Sequence, residues 1–490
     1  MVFNMDELKF VDYIYDNIHG YIALTDIEQK IERLPIFQRL RRLKQLGIAN
    51  WIFPGAEHTR YSHSLGVMHI ADQMAIKLKF TSKERQLIRV AGMLHDIGHY
   101  PLSHTGESAY KSFYKQNAIV LEPISFNSIN DKAISKITNL VNNDIDDPSY
   151  ITHTYMRKSE NEFHHEIISI LVIKNSQAIR SILNNADISV DDVCSIITGD
   201  ISDERLIKYV QLMHSEFDAD RIDYLLRDAA SSGTSYGLFE LSTVLKNLEI
   251  KTHKKYNVDI VGFKRKGIAS MDQFLLNRYF AYSQVVYNKY VSILNYMAET
   301  IIYYFLNTSD NIFPDGEHLQ RHIKEHESTD FYLNFTDMFF FEKLKSFHLE
   351  KYRNCPPVVK QMITLLRSFR APKDIYNLVT SGLTNQKIYQ QIKDSGIDYN
   401  KDNNSIIKYD EVYLTRHVAI DDYINVYTEK KEEFQDVELD DYLKHRLING
   451  VTIINDNNEM HLLVDEPSSI IKDLCRHRTV FVRKYDFSIT

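Results

Sequence analysis

Cysteine is scarce in this chain. Its 490 residues hold only Cys194, Cys355 and Cys475, none with a close partner in sequence. That spacing excludes a CxxC zinc site and a disulfide framework, and three reduced thiols fit a cytoplasmic protein. A basic excess is also lacking. The formal net charge of −8 argues against a general nucleic-acid binder, although a few Lys and Arg can still hold a small anion in an acidic protein. No apolar run approaches the roughly 20 residues of a membrane span. The opening MVFNMDELKFVDYIYD has no basic stretch followed by an apolar one, so no secretory signal is expected.

What remains is ordinary for a globular protein, with 44% hydrophobic and 25% charged residues. The length allows two to four domains, or one large helical domain with additions. Residues 1–35 read as a lead-in, with a turn at His19-Gly20 and an extended stretch at Tyr21–Leu24. Pro35 opens a helix over Ile36–Leu46. Further helices are predicted at about Ser62–Lys79, Ser82–Ile97, His164–Ile173, Glu216–Ala230 and Met271–Phe305, the last rich in Tyr. Gly98 and Ser231-Ser232-Gly233 serve as stops. Residues 115–160, rich in Asn, Asp and Ser, read as an insertion or lid. Short strands are expected at Val412–Leu414, Val451–Ile454, His461–Val464 and Thr479–Val482. The fold class is mainly α: a helical core over 36–310, then a region over 311–490 that is helical at first and mixed α/β toward its end.

Histidines cluster between His58 and His104. His63 lies in Arg60-Tyr61-Ser62-His63-Ser64-Leu65-Gly66, and His95-Asp96 in Gly92-Met93-Leu94-His95-Asp96-Ile97-Gly98-His99. His165-Glu166 follows after a long gap, and Asp220 sits in Asp218-Ala219-Asp220-Arg221-Ile222-Asp223-Tyr224. An isolated His-Asp pair is common by chance. The order His…His-Asp…Asp in a helical frame, with apolar residues before His95 and a glycine after Asp96, makes a metal set of His63, His95, Asp96 and Asp220. Two imidazoles and two carboxylates suit Mn, Fe or Mg, with Zn or Ni as further candidates. His95 and Asp96 are adjacent, so they reach one ion only where the helix end is distorted, which Gly98 permits.

These motifs resemble the HD superfamily, and more closely its deoxynucleoside triphosphate triphosphohydrolase branch. The resemblance rests on Phe37–Gly47, Phe53-Pro54-Gly55-Ala56 with His58, Arg60 and His63–Gly66, Leu94–His104, His165-Glu166 and Asp218–Asp228, and it spans about residues 19–290. It implies a helical HD core, a divalent metal, and cleavage of a dNTP to deoxynucleoside and inorganic triphosphate. It implies catalytic roles for His104 and its supporting acid Glu107, and phosphate contact by His165 oriented by Glu166. It implies substrate contacts from Arg60 and Arg221 to the phosphates, Gln45 and Leu46 to the sugar, Tyr224 as a stacking ring and Asp228 as a 3′-hydroxyl acceptor. Arg278 and Lys289 match phosphate contacts, and additional Mg can accompany the phosphates. Of the remaining histidines, His99 reads as support for the site, while His153 and His214 read as surface or core.

Some members of the family are tetramers switched on by nucleotides at subunit interfaces. The resemblance therefore implies a homo-oligomer, dimer or tetramer, with room for an activating nucleotide. Arg33 and Asp12 depart from the guanine-reading pattern, so that form of the switch is not expected. The rival readings are an HD phosphohydrolase or phosphodiesterase acting on another nucleotide, and a nucleotide-binding regulator without turnover.

Overall fold

The computed structural model describes residues 7–116, 124–142, 163–308, 312–348, 354–382, 384–397, 404–415, 417 and 439–488. Two short strands come first. Strand β1, Phe10–Asp16, pairs antiparallel with β2, Gly20–Thr25, placing Tyr15 opposite Tyr21. Asp16 Oδ1 accepts the N–H groups of Ile18 and His19, and Gly20 at φ 71° completes the tight turn. The turn and β2 were legible in the sequence; β1 was not.

The segment expected as one helix from Ile36 to Leu46 is shorter. An α-turn at Pro35–Gln38 tightens into a 3-10 turn at Arg39–Arg42. The tightening aims fully buried Arg39 inward, where its guanidinium donates to the carbonyls of His99 and Phe335, each at 2.7 Å. The Arg60–Lys77 helix then runs through the centre of the molecule, buried on most sides. The Ser82–Leu94 helix packs beside it, opened by a reciprocal cap between Thr81 and Glu84. The Ala219–Ser232 helix packs against the central helix, capped by Asp218 and stopped by Gly233 at φ 70°.

The predicted Tyr-rich helix is two helices, Ile268–Ala281 and Lys289–Leu306. A π-turn at Tyr282–Val286 separates them, and Asn288 caps the second by accepting the N–H of Tyr290.

Strands β3, Leu248–His253, and β4, Val258–Lys264, form a hairpin that the sequence reading missed. Strand β4 pairs in parallel with β7, Thr452–Ile454, which pairs with β8, Met460–Leu462. The second sheet has the order β5-β9-β6, from Lys373–Gly382, Arg478–Asp486 and Ser405–Tyr413. Here too β5 is an addition to the expected strands. The C-terminal region is thus mixed α/β as expected, but its strands complete a sheet begun at residue 248. One buried hydrophobic cluster runs from Ile22 to Phe487 across position 310. Within the expected lid, Phe126–Asn142 is a helix; residues 117–123 and 143–162, with His153, lie outside the described residues.

Candidate active site

His63 stands in the first turn of the Arg60–Lys77 helix and is fully buried. Its Nδ1 lies 2.8 Å from Asp223 Oδ2, which fixes the ring and turns Nε2 inward. That Nε2 is 2.9 Å from Asp220 Oδ1 and 3.7 Å from Asp96 Oδ2. His95 follows the last residue of the Ser82–Leu94 helix, so His95 and Asp96 sit on a turn and converge. The helix therefore stops three residues short of the predicted end. His95 Nδ1 is tied to the Gly92 carbonyl at 2.8 Å, and its Nε2 lies 3.5 Å from Asp96 Oδ1 and 3.8 Å from Asp220 Oδ1.

Gly98 has a different role from the one its position suggested. A Cβ there would lie 2.2 Å from the backbone nitrogen of Ser169, so the glycine allows close approach of the His165–Asn175 helix. Ser169 Oγ then bridges the turn, accepting Gly98 N–H at 2.9 Å and donating to the His95 carbonyl at 2.7 Å.

These residues fit a divalent cation. The Nε2 atoms of His63 and His95 are buried and make no aligned hydrogen bond, while each Nδ1 is tied off behind. Burial opposes the charge on Asp96, but Arg60 and the surrounding imidazoles hold its pKa well below the usual carboxylate range. Asp220 is lowered as well: burial opposes this, and the close approach and charge of His63, with His95, outweigh it. Burial lowers His95 and favours its neutral, ligating form. Burial also pulls His63 down, but Asp220 and Asp223 raise it to about 10.

A second cluster adjoins the first. Leu102 and Ser103 carry left-handed φ of 58° and 56°, and His104 follows as the first residue of the His104–Gln116 helix. His104 Nδ1 lies 2.8 Å from Glu107 Oε2, and His165 Nδ1 lies 3.1 Å from the same oxygen. Glu107 Oε1 is ion-paired with Lys111. Burial opposes ionisation of Glu107, yet His165 and His104 hold its pKa well below normal. His165 is raised to about 9, since Glu107 outweighs the cost of burial. The His104 side chain is two-thirds exposed; desolvation by its neighbours pulls its pKa down against Glu107. The two rings are thus driven in opposite directions, His165 toward the cation and His104 toward the neutral form. The His99 ring stacks on His165 at 4.4 Å.

Glu107, and not Glu166, orients His165. Glu166 faces His164 at 3.4 Å and His214 at 3.7 Å. His214 lines the cavity, contrary to its reading as surface or core.

A cavity of about 900 Å³ joins both clusters to the other expected residues. Gln45, Leu46, Arg60, Arg221, Tyr224 and Asp228 all line it. Arg60 donates to Asp96 Oδ2 at 2.6 Å and to Ser103 Oγ at 3.0 Å, linking the metal set to the strained turn before His104. Arg221 donates to the Ser215 carbonyl at 2.7 Å and pairs with Asp218. Asp228 Oδ1 lies 2.7 Å from His58 Nε2. Two expected residues are elsewhere. Arg278 is directed to Glu216 at 3.2 Å and the Leu414 carbonyl at 3.0 Å, and Lys289 is paired with Asp374 at 2.7 Å; neither lines the cavity.

The sequence reading missed several wall residues. Asn295 lies beside Gly47, and Tyr442, His445 and Asn449 reach the cavity from the Leu439–Asn449 helix. None carries a local sequence signal. Asp223 did carry one: it lies one helical turn beyond Asp220, on the face turned toward His63.

Among the described residues no helix is long and apolar enough to cross a membrane. The family model for the HD domain matches residues 60–150. An uncharacterized protein of Methanocaldococcus jannaschii is 32% identical over 289 residues, 59% of this chain and 49% of that protein. A protein of Dictyostelium discoideum named as a deoxynucleoside triphosphate triphosphohydrolase SAMHD1 homolog is 41% identical over 102 residues, 19% of this chain and 20% of its own. The chain spans about half the length of the first curated relatives it matches. The crystal structure of a hypothetical protein from Aquifex aeolicus aligns over 97% of this chain and 96% of its own, with a TM-score of 0.62 at 22% identity, and so shares the fold. His63, His95, Asp96, His104 and Glu107 all fall inside the matched segment, and the chain carries an HD domain.

Proposed function

We propose that the chain hydrolyses deoxynucleoside triphosphates to deoxynucleoside and inorganic triphosphate, using a divalent metal held by His63, His95, Asp96 and Asp220. One observation carries the reading: a single cavity is lined by His95, Asp96 and Asp220, by the His104–Glu107–His165 cluster and by Gln45, Leu46, Tyr224 and Asp228, with His63 buried directly behind Asp220. A cavity of this size holds a whole nucleotide.

A bound Mn, Fe or Mg ion supplies Lewis acidity toward a phosphoryl group. The residues supply the rest. Cationic His165 and the Arg221 guanidinium attract the phosphates. In the cleavage, water oxygen bonds to the α-phosphorus, the bond from phosphorus to the 5′-oxygen breaks, and the electron pair leaves on that oxygen. His104 is placed to deliver the proton the leaving oxygen needs. Its pKa is lowered in the free site, and an arriving polyphosphate raises it. Glu107 holds the Nδ1 of both rings. Gln45 Oε1 is buried without a hydrogen-bond partner and is open to a sugar hydroxyl.

The activity would lower the dNTP pool, in nucleotide balance or in defence against phage. Assembly as a homo-oligomer and activation by a nucleotide at a subunit interface rest on the resemblance alone. The test incubates the chain with each dNTP and with GTP, singly and mixed, adding Mn or Mg in turn, and separates the products. Deoxynucleoside with intact triphosphate, lost in His104→Ala, supports the proposal. Monophosphate with pyrophosphate, or no turnover in any mixture, refutes it.

A further inference from the structure

The turn of the N-terminal hairpin reaches the back of the metal set. His19 Nε2 lies 2.6 Å from Asp223 Oδ1, across 204 positions of sequence. Asp223 is fully buried, and both of its oxygens are engaged. Oδ1 meets His19 and Arg227 NH2, at 2.6 and 3.0 Å; Oδ2 meets His63 Nδ1 and Arg227 Nε, at 2.8 and 2.9 Å. Arg227 is held in turn by Asp16 Oδ2 at 2.7 Å. Asp16 and His19 belong to one turn, because Asp16 Oδ1 also accepts His19 N–H at 3.0 Å.

A group that only fastened the hairpin to the body could sit on any buried ion pair. This one ends on the Nδ1 of an imidazole whose Nε2 faces two carboxylates. The hydrogen bond on the rear nitrogen of a ligating histidine sets its tautomer and ring angle, and losing such support typically weakens metal binding about 10–100-fold. Arg227 grips both Asp223 oxygens from one side, and His19 adds the shorter contact at Oδ1 from another, so the carboxylate cannot swing with the guanidinium. Gly66 leaves the room: a Cβ there would stand 1.9 Å from Asp223 Oδ1.

We infer that His19, seated by Asp16, is a positioning residue of the metal centre, which holds Asp223 in the orientation that aims His63 at the ion. The inference rests on the metal reading of His63, His95, Asp96 and Asp220. It concerns binding of the ion, whatever the substrate.

The test titrates the full-length chain with Co2+, reading the visible absorption of the bound ion, and obtains Kd for Co2+ and Mn2+ by competition with a chelator. His19→Ala, His19→Gln and Asp16→Asn are compared with the parent and with Tyr21→Ser, which alters an exposed hairpin side chain. Thermal unfolding of the metal-free proteins runs in parallel. The expected result is a Kd raised at least tenfold in His19→Ala with an altered Co2+ spectrum, and partial rescue in His19→Gln. Asp16→Asn should fall between them, and Tyr21→Ser should match the parent. A His19→Ala protein with the parent's Kd and spectrum overturns the inference, even if its Tm falls. If His19→Ala does not fold, parental Kd values in both His19→Gln and Asp16→Asn overturn it. A parent that binds no ion refutes the metal reading itself, an outcome separate from an altered dependence on His19.

Discussion

Leu102 donates its backbone N–H to Asp337 Oδ1 at 2.7 Å, although 235 residues separate the two. The other oxygen, Oδ2, accepts Lys44 N–H at 2.8 Å. One buried carboxylate therefore joins the segment carrying Gln45 and Leu46 to the left-handed turn before His104. Such φ values in non-glycine residues persist only where the surroundings enforce them. Asp337→Ala should leave two buried N–H groups unpaired and cost about 2–5 kcal/mol of stability. It should also lower turnover while leaving Co2+ binding near the parental Kd. Turnover equal to the parent's would show that the turn holds its shape unaided.

The same residue predicts a pH dependence. Burial raises the Asp337 pKa to about 6, against the pull of the Lys44 and Leu102 N–H groups. Its unfolded value is about 3.9. A folded pKa above the unfolded one means that the fold favours the protonated form. The contribution is full below about pH 4 and is lost as pH rises through about 6. The unfolding free energy of the parent minus that of Asp337→Asn should therefore fall by about 2–3 kcal/mol between those limits and then level off. Urea unfolding across the range checks this, and a flat difference contradicts it.

Gly98→Ala should be severe. Its Cβ would meet backbone, at 2.2 Å from Ser169 N and 2.5 Å from the Ile168 carbonyl carbon, and backbone cannot swing aside as a side chain can. The expected cost is about 3 kcal/mol or more, with loss of the Ser169 bridge to the His95 turn. Thermal unfolding and metal stoichiometry report both effects. A Tm within a degree or two of the parent's would mean that the two elements are less tightly apposed.

Arg60→Lys tests the link between the two clusters. The guanidinium contacts Asp96 Oδ2 and Ser103 Oγ together, and an ammonium cannot span both. Turnover should fall at least tenfold while the overall fold is kept. Parental kinetics would show that a charge at this position suffices and the fork does not matter.

The motifs carrying His63, His95, Asp96 and Asp220 were legible because each is local and sits in a helical frame that is itself local. The structure gathers the ligand atoms of His63, His95 and Asp220, and sets Asp96 beside them, 3.7 Å from His63 and 3.5 Å from His95. The hydrogen bonds behind these residues were not legible. His19 and Asp337 reach the site across more than two hundred positions, and one sequence holds no sign of such pairings. Strand β1 escaped notice because Val11, Tyr13 and Tyr15 point outward, so the polar alternation of a half-buried strand is absent. The break at Tyr282–Asn288 was hidden by continuous apolar and aromatic periodicity, with Asn288 as its only mark. Helix His164–Ile173 came out close to its observed bounds, His165–Asn175, and the stop at Gly233 was legible because a left-handed glycine cap is a local signal.

The central claim is metal-dependent attack of water at the α-phosphorus within the cavity. The direct measurement runs one turnover of a dNTP in water enriched in heavy oxygen, with Mn present, and weighs both products. The account predicts intact triphosphate carrying one heavy oxygen beside an unlabelled deoxynucleoside. Label in the deoxynucleoside, or monophosphate with pyrophosphate, would contradict it.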